Sequence, residues 1–224
     1  MIPKNKKGGV LERVKKICVC LAVFPILLSG CMNLKQPVNK IDYYTLESKP
    51  PKISGLKPLS HVIKVARFTA SPTYNTPRII YRDRSFNRNS YVYCRWRANP
   101  GALVTHILNR DIRHSRLFKA ILTSESRFTS SYLLEGTVDE FLEWDMEETW
   151  KAVLSLSITL MDENKTDVRE KILFQKTYRE EAPCERKNPR ALAEAMSRAM
   201  SEISKQIIKD VYCCLKDRDP YTPG

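Results

Sequence analysis

Histidine, cysteine and paired carboxylates are where this chain could carry chemistry. Its three histidines are His61, His106 and His114. His106 and His114 stand eight residues apart, so they do not form the i,i+4 pair that a helix offers a metal. No HExxH, GxSxG, GxGxxG or CxxC run occurs. Seven glycines leave no glycine-rich phosphate loop. The acidic pairs Asp139–Glu140 and Glu147–Glu148 read as solvated charges at strand ends, because acid–base catalysis needs groups that converge in a pocket. Cys94, Cys184, Cys213 and Cys214 read as structural residues with at most one bridge among them. A straight helix over 189–213 spans about 36 Å. The five residues from Cys184 to its start reach only about 17 Å, so Cys184 is not expected to bridge to Cys213 or Cys214. The expectation is a protein that is no enzyme, with no metal and no cofactor.

One cysteine stands apart. Residues 1–16 are basic, 17–28 are the apolar run ICVCLAVFPILL, and Leu28-Ser29-Gly30-Cys31 follows before the chain turns polar. Twelve helical residues rise about 18 Å, short of the roughly 30 Å of a bilayer core, and Pro25 disfavours a longer helix. Basic, apolar, then small residues is the layout of an export signal. Leu28–Cys31 resembles the bacterial lipobox. The resemblance implies cleavage after Gly30 and a diacylglyceryl thioether on Cys31, the first residue of the mature chain. A single acyl chain anchors only marginally; a triacylated N-terminus, palmitate-like chains included, holds. Met32 in place of Asp implies sorting to the outer membrane.

The mature part, 31–224, carries a formal charge of +8 within the chain's +13, which favours anionic partners. The charge concentrates in 64–97, where Lys64, Arg67, Arg78, Arg82, Arg84, Arg88, Arg95 and Arg97 oppose Asp83 alone. Tyr74, Tyr81, Phe86, Tyr91, Tyr93 and Trp96 are interleaved. In a cytosolic protein this pattern suggests RNA. Behind an export signal it suggests no nucleic acid, but docking to acidic protein or lipid through arginine forks and aromatic contacts.

Periodicity supplies the elements that would position these residues. IDYYTLE (41–47), HVIKVARF (61–68), RIIYR (78–82) and SYVYCRW (90–96) read as short strands. Residues 98–115 read as a helix capped by Asn99 with Pro100 in its first turn. In 131–146, Tyr132, Leu134, Val138, Leu142 and Trp144 share one parity, and 149–161 alternates more clearly still. Residues 168–178 close an antiparallel meander, with Ile172, Phe174 and Tyr178 on one face. A helix over 190–215 carries the stripe Leu192, Met196, Ala199, Ile203, Ile207 and Val211, with Glu194 and Arg198 placed to pair. The fold class expected is α+β: a mixed or antiparallel sheet with two main helices on one face, preceded by a signal peptide and linker. The divisions are 1–30 signal peptide, 31–60 lipidated N-terminus with a short strand and linker, 61–216 folded domain, and 217–224 disordered tail.

RIIYRDRS (78–85) and YVYCRWRANPGALVTHIL (91–108) resemble the ABC-type transport auxiliary lipoproteins, the family of paraquat-inducible protein C. The pattern falls on Arg78, Ile80, Tyr81, Arg82, Arg95, Trp96 and Pro100. YYTL (43–46) and LLEGTVDEFL (133–142) are similar to further family segments. The resemblance implies a non-catalytic periplasmic component of a mammalian-cell-entry-type lipid or hydrophobic-compound transport system. Its partners would be the mammalian-cell-entry proteins and their ABC permease and ATPase, with self-association open. The chain would be held in the outer membrane facing the periplasm, the inner membrane being the alternative. An unrelated envelope-assembly or binding lipoprotein is the competing reading. Arg78, Tyr81, Arg82 and Arg95 are the candidate docking residues, and Trp96 a core candidate because it follows a half-buried strand.

Overall fold

The computed structural model describes residues 40–218. Gly30, Cys31, the signal peptide and the end of the tail lie outside them.

Three long strands form the backbone of the sheet. β7 (Tyr132–Asp145) pairs antiparallel with β8 (Trp150–Asp162), and β8 pairs antiparallel with β9 (Ile172–Pro183). This is the expected meander. On β8, Ala152, Leu154, Leu156, Ile158 and Leu160 are buried and face the helices, while Ser155, Ser157 and Thr159 point the other way. Tyr178 pairs with Leu156 and reaches the second long helix, which fixes that face. On β9, Leu160 opposes Phe174 but Met161 opposes Ile172. That slip leaves Ile172 exposed rather than in line with Phe174 and Tyr178.

β7 departs from its expected parity at a bulge. Val138 opposes Leu156, and the next pair is Glu140 with Ser155, so Asp139 is the extra residue. A bulge exchanges the faces of everything after it. Tyr132, Leu134 and Val138 face the helices as expected. Beyond the bulge Phe141 and Glu143 take that side, and Leu142 and Trp144 face away. Asp139 and Glu140 therefore sit mid-strand, bonded to Ser157 and Arg179, not at a strand end.

The other edge of β7 receives three short strands one after another, all parallel to it. β2 (Leu59–Val65) pairs at Tyr132–Leu134, β3 (Thr69–Ala70) at Thr137–Val138, and β4 (Arg78–Arg82) at Leu142–Trp144. Beyond them lie β6 (Phe118–Thr123), parallel to β2, and β5 (Asn89–Trp96), antiparallel to β4; β1 (Asp42–Tyr44) runs parallel to β5. Among the described residues the result is a nine-stranded mixed sheet. The sequence reading named no strand at 118–123, where only Phe118 is buried and no alternation shows.

Two substantial helices cover one face. α1 (Pro100–Ser115) buries Leu103, Val104, Ile107, Leu108 and Ile112. Asn99 occupies its N-cap but makes no capping bond; its amide donates to Asn75 Oδ1 at 3.0 Å instead. α1 is fixed to the sheet through Phe68. The Phe68 N–H donates to Thr105 Oγ1 at 2.9 Å. A Cβ on Gly101 would collide with the Phe68 carbonyl oxygen, and one on Gly136 of β7 would collide with the Phe68 ring. Two glycines thus admit one wedge between α1 and β7.

After the short turn α2 (Val168–Lys171), α3 runs from Pro189 to Leu215. Asn188 caps it, accepting from the Ala191 N–H at 2.9 Å. Its expected stripe is buried throughout, from Leu192 to Val211. Glu194 and Arg198 do not pair: Glu194 holds Arg190 at 3.2 Å, and Arg198 donates to the Pro183 carbonyl at 2.6 Å. Residues 216–218 continue as a 3₁₀ turn. Cys94, Cys184, Cys213 and Cys214 are all free thiols. No helix among the described residues is long and apolar enough to cross a membrane.

Candidate docking surface

The sequence RIIYR alternates faces strictly. Ile79 turns to the helix side and is fully buried. Arg78, Ile80 and Arg82 turn to the open face of the sheet. Arg78 lies opposite Arg95 on β5, so Arg78, Arg82 and Arg95 share one surface. Tyr81 is on the other side, its ring 5.1 Å from Tyr91; the strand separates it from the three arginines. Trp96 also turns inward. It is 1% exposed and meets Phe141 edge-on, with ring centres 5.1 Å apart.

The bulge in β7 adds a residue to the arginine surface. Trp144, opposite Arg82 in register, carries the Arg82 guanidinium 3.8 Å above its ring centre. Stacking of this kind fixes the guanidinium plane while leaving its N–H groups free. Arg82 Nε, Arg95 Nε and Trp144 Nε1 are shielded and have no hydrogen-bond partner. Next along, Tyr43 lies opposite Arg95, with Arg97 5.7 Å from its ring centre. Tyr43, Val92 and Tyr93 are about half exposed or more.

Charge divides this face in two. On the β8–β9 side Arg179 holds Glu140 at 2.7 Å and Glu181 at 2.6 Å, and Lys151 holds Glu181 at 3.1 Å. Those hydrogen bonds keep the Glu181 carboxyl below its ordinary range. On the β4–β5 side, Arg78, Arg82 and Arg95 take part in no ion pair among the described residues. An uncompensated guanidinium trio beside exposed aromatics is what a carboxylate-bearing protein surface recognises.

Behind the arginines lies a residue that sequence reasoning missed. Glu143 is 1% exposed on the helix side of β7. The Tyr91 hydroxyl donates to its carboxylate, at 3.1 Å to Oε1 and 3.0 Å to Oε2. Burial pushes the Glu143 carboxyl up to about 7; the Tyr91 bond works against that, and Asp145 adds to it. Burial likewise raises the Tyr91 hydroxyl and, to about 11, the nearby Cys184 thiol. The parity shift at Asp139 concealed Glu143 from a sequence reading.

The histidines are dispersed. His61 is buried with Nε2 3.2 Å from the Leu215 carbonyl and its ring edge-on to Tyr132. His114 Nδ1 lies 2.8 Å from the Arg110 carbonyl, and His106 is exposed along α1. No group of three potential metal ligands occurs among the described residues.

The model of a family described as "ABC-type transport auxiliary lipoprotein component" matches residues 44–208. The chain belongs to this family. The match runs from β1 through most of α3, so the arginine surface and the buried Glu143 both lie inside the auxiliary lipoprotein domain. Among solved structures, the chain is similar to protein XCC0632 from Xanthomonas campestris, at 16% identity and a TM-score of 0.70, covering 79% of this chain and 97% of that one. It is also similar to a protein described only as uncharacterized, at 10% identity and a TM-score of 0.60, covering 77% and 99%. At these identities the likeness is one of fold. No curated protein matches the chain.

Proposed function

We propose that this auxiliary lipoprotein is a lipid-anchored, non-catalytic periplasmic component of a mammalian-cell-entry-type ABC transport system, and that it docks the transport conduit at a membrane. The observation that carries the reading is the unpaired trio Arg78, Arg82 and Arg95 on the open face of the sheet. Its complement is an acidic patch on a mammalian-cell-entry protein. Energy comes from the ATPase on another chain, and the cargo is a lipid or similar hydrophobic compound. Cys31 carries the covalent lipid, with Gly30 as the last residue removed. The outer membrane, facing the periplasm, is the proposed site; Met32 following the cysteine supports it over the inner membrane.

The test is Arg82→Glu. Introduction of a like charge opposite an acidic patch weakens association. Loss of the Trp144 stack costs about 1 kcal/mol, so the variant still folds. Thermal melting and co-purification with the transport complex are read together. A folded Arg82→Glu protein that co-purifies as well as the parent removes this surface from the interface.

A further inference from the structure

The β4–β5 hairpin ends in an apex that the docking surface does not use. Residues 83–88 read DRSFNR. Asp83 Oδ1 accepts from the Ser85 N–H at 2.7 Å and from its hydroxyl at 2.5 Å, and Ser85 Oγ accepts from the Asn87 N–H at 3.1 Å. Arg88 donates back to the carbonyls of Phe86 and Asn87. The loop is therefore held by its own bonds, and what it presents is a fully exposed phenylalanine, Phe86. A large apolar ring held out at a braced apex has the geometry to enter an apolar phase.

The polarity of the strands says what lies beyond that apex. β5 starts at Asn89, next to the apex, and runs away from it. β1 is parallel to β5, with Asp42 opposite Cys94. Asp42 is therefore the end of β1 nearer the apex, about 17 Å from it along β5 at the rise of a strand. From Lys40 to Cys31 there are nine more residues, a reach of up to about 31 Å. The N-terminal end of β1 and the Phe86 apex thus lie toward the same end of β5.

We propose that the β4–β5 apex seats in the headgroup layer of a phospholipid bilayer, with Phe86 as its apolar anchor, and that this bilayer is the one holding the chain's N-terminus. The inference rests on Cys31 as the lipidated residue. A phenylalanine suits the boundary between headgroups and acyl chains. Arg84 shares its charge with Glu147 at 3.6 Å, which leaves Arg88 as the guanidinium that meets lipid phosphate. The contact is chiefly apolar and does not require anionic lipid. Being tethered, the apex needs only weak intrinsic affinity, because the anchor supplies a high local concentration of membrane. Seating it there sets the orientation of the sheet against the membrane.

The experiment uses two tryptophan variants of the full chain. Phe86→Trp reports the apex. Phe128→Trp reports the loop before β7; Phe128 is 77% exposed, and β7 separates the two ends by about 40 Å. Each is reconstituted through its own anchor into phosphatidylcholine vesicles with brominated acyl chains. In parallel, each is held as Cys31→Ser with an N-terminal hexahistidine on nickel-chelating lipid. The parent's fluorescence is subtracted, and the mass of the N-terminal peptide reports lipid on Cys31. The expected result is a blue shift and bromine quenching at 86 and neither at 128. No quenching at 86 in either format, equal quenching at both positions, or a blue shift at 86 without quenching overturns the proposal. Quenching at 86 on the nickel lipid with no lipid mass on Cys31 keeps the apex contact and refutes the anchor reading.

Discussion

Replacing Glu143 by glutamine is expected to stabilise the protein, and to do so only at neutral and alkaline pH. Glu143 is buried, with the Tyr91 hydroxyl as its hydrogen-bonding partner. Its carboxyl titrates at about 7 in the folded protein against an ordinary 4.5. The folded state therefore binds the proton more tightly than the unfolded chain. Below about pH 4.5 both states are protonated and the residue costs nothing. Between 4.5 and 7 the unfolded chain ionises first, so stability falls as pH rises; above 7 the loss is complete. The shift is worth roughly 3 kcal/mol. The amide of the Glu143→Gln variant keeps an acceptor for the Tyr91 hydroxyl and never ionises. At pH 8 the variant should melt about 6–12 °C above the parent, at the 2–4 °C per kcal/mol usual for a domain of this size. At pH 4.5 the two should melt together. Melting curves of both proteins at half-unit steps from pH 4.5 to 8.5 give the answer. A difference that does not change with pH, or a parent that gains on the variant as pH rises, refutes the reasoning.

Three further outcomes follow from the same geometry. Trp96→Ala removes the ring packed edge-on against Phe141 and should lower stability by about 3–5 kcal/mol, read by urea unfolding. Gly136→Ala forces a methyl into the Phe68 ring; it should cost about 1–3 kcal/mol, and Phe68→Ala in the same chain should relieve part of it in a double-mutant cycle. Cys31→Ala should abolish labelling by an alkyne fatty acid, and label persisting on that variant places the anchor elsewhere.

What could be read in the sequence was whatever depends on neighbours along the chain. β8 declares itself because Leu154, Leu156, Ile158 and Leu160 alternate with polar residues, and α3 because its apolar stripe runs unbroken from Leu192 to Val211. The arginines of the candidate docking surface were equally visible, since Arg78, Ile80 and Arg82 keep one parity in a short regular strand. Trp144 and Glu143 were not. Their faces are exchanged by one extra residue at Asp139, and nothing local marks it. The bonding partners of one cap and one surface pair were not legible either. Asn99 and Arg198 can each bond a neighbour on their own helix, yet Asn75 and the Pro183 carbonyl, brought close by the sheet, take them instead. Short β6 escaped because it is held by β2 across the chain rather than by its own pattern.

The three parallel strands laid along β7 have a kinetic consequence. Ile63 waits for Tyr132, Thr69 for Thr137 and Ile80 for Leu142, each pairing closing a loop of more than about sixty residues. Contacts of such long range are slow to form. During synthesis, which proceeds from the N-terminus, β2, β3 and β4 have no common strand to join them until residue 145 has been made. β7, β8 and β9 are joined by short turns and can zip together unaided. The order of assembly is thus the reverse of the order of synthesis, with the meander forming first and the earlier strands docking onto its exposed edge. A pause or truncation before β7 leaves β2 with β6 alone and β4 with β5 alone, the edge that β7 would cover on each open to any other edge it meets.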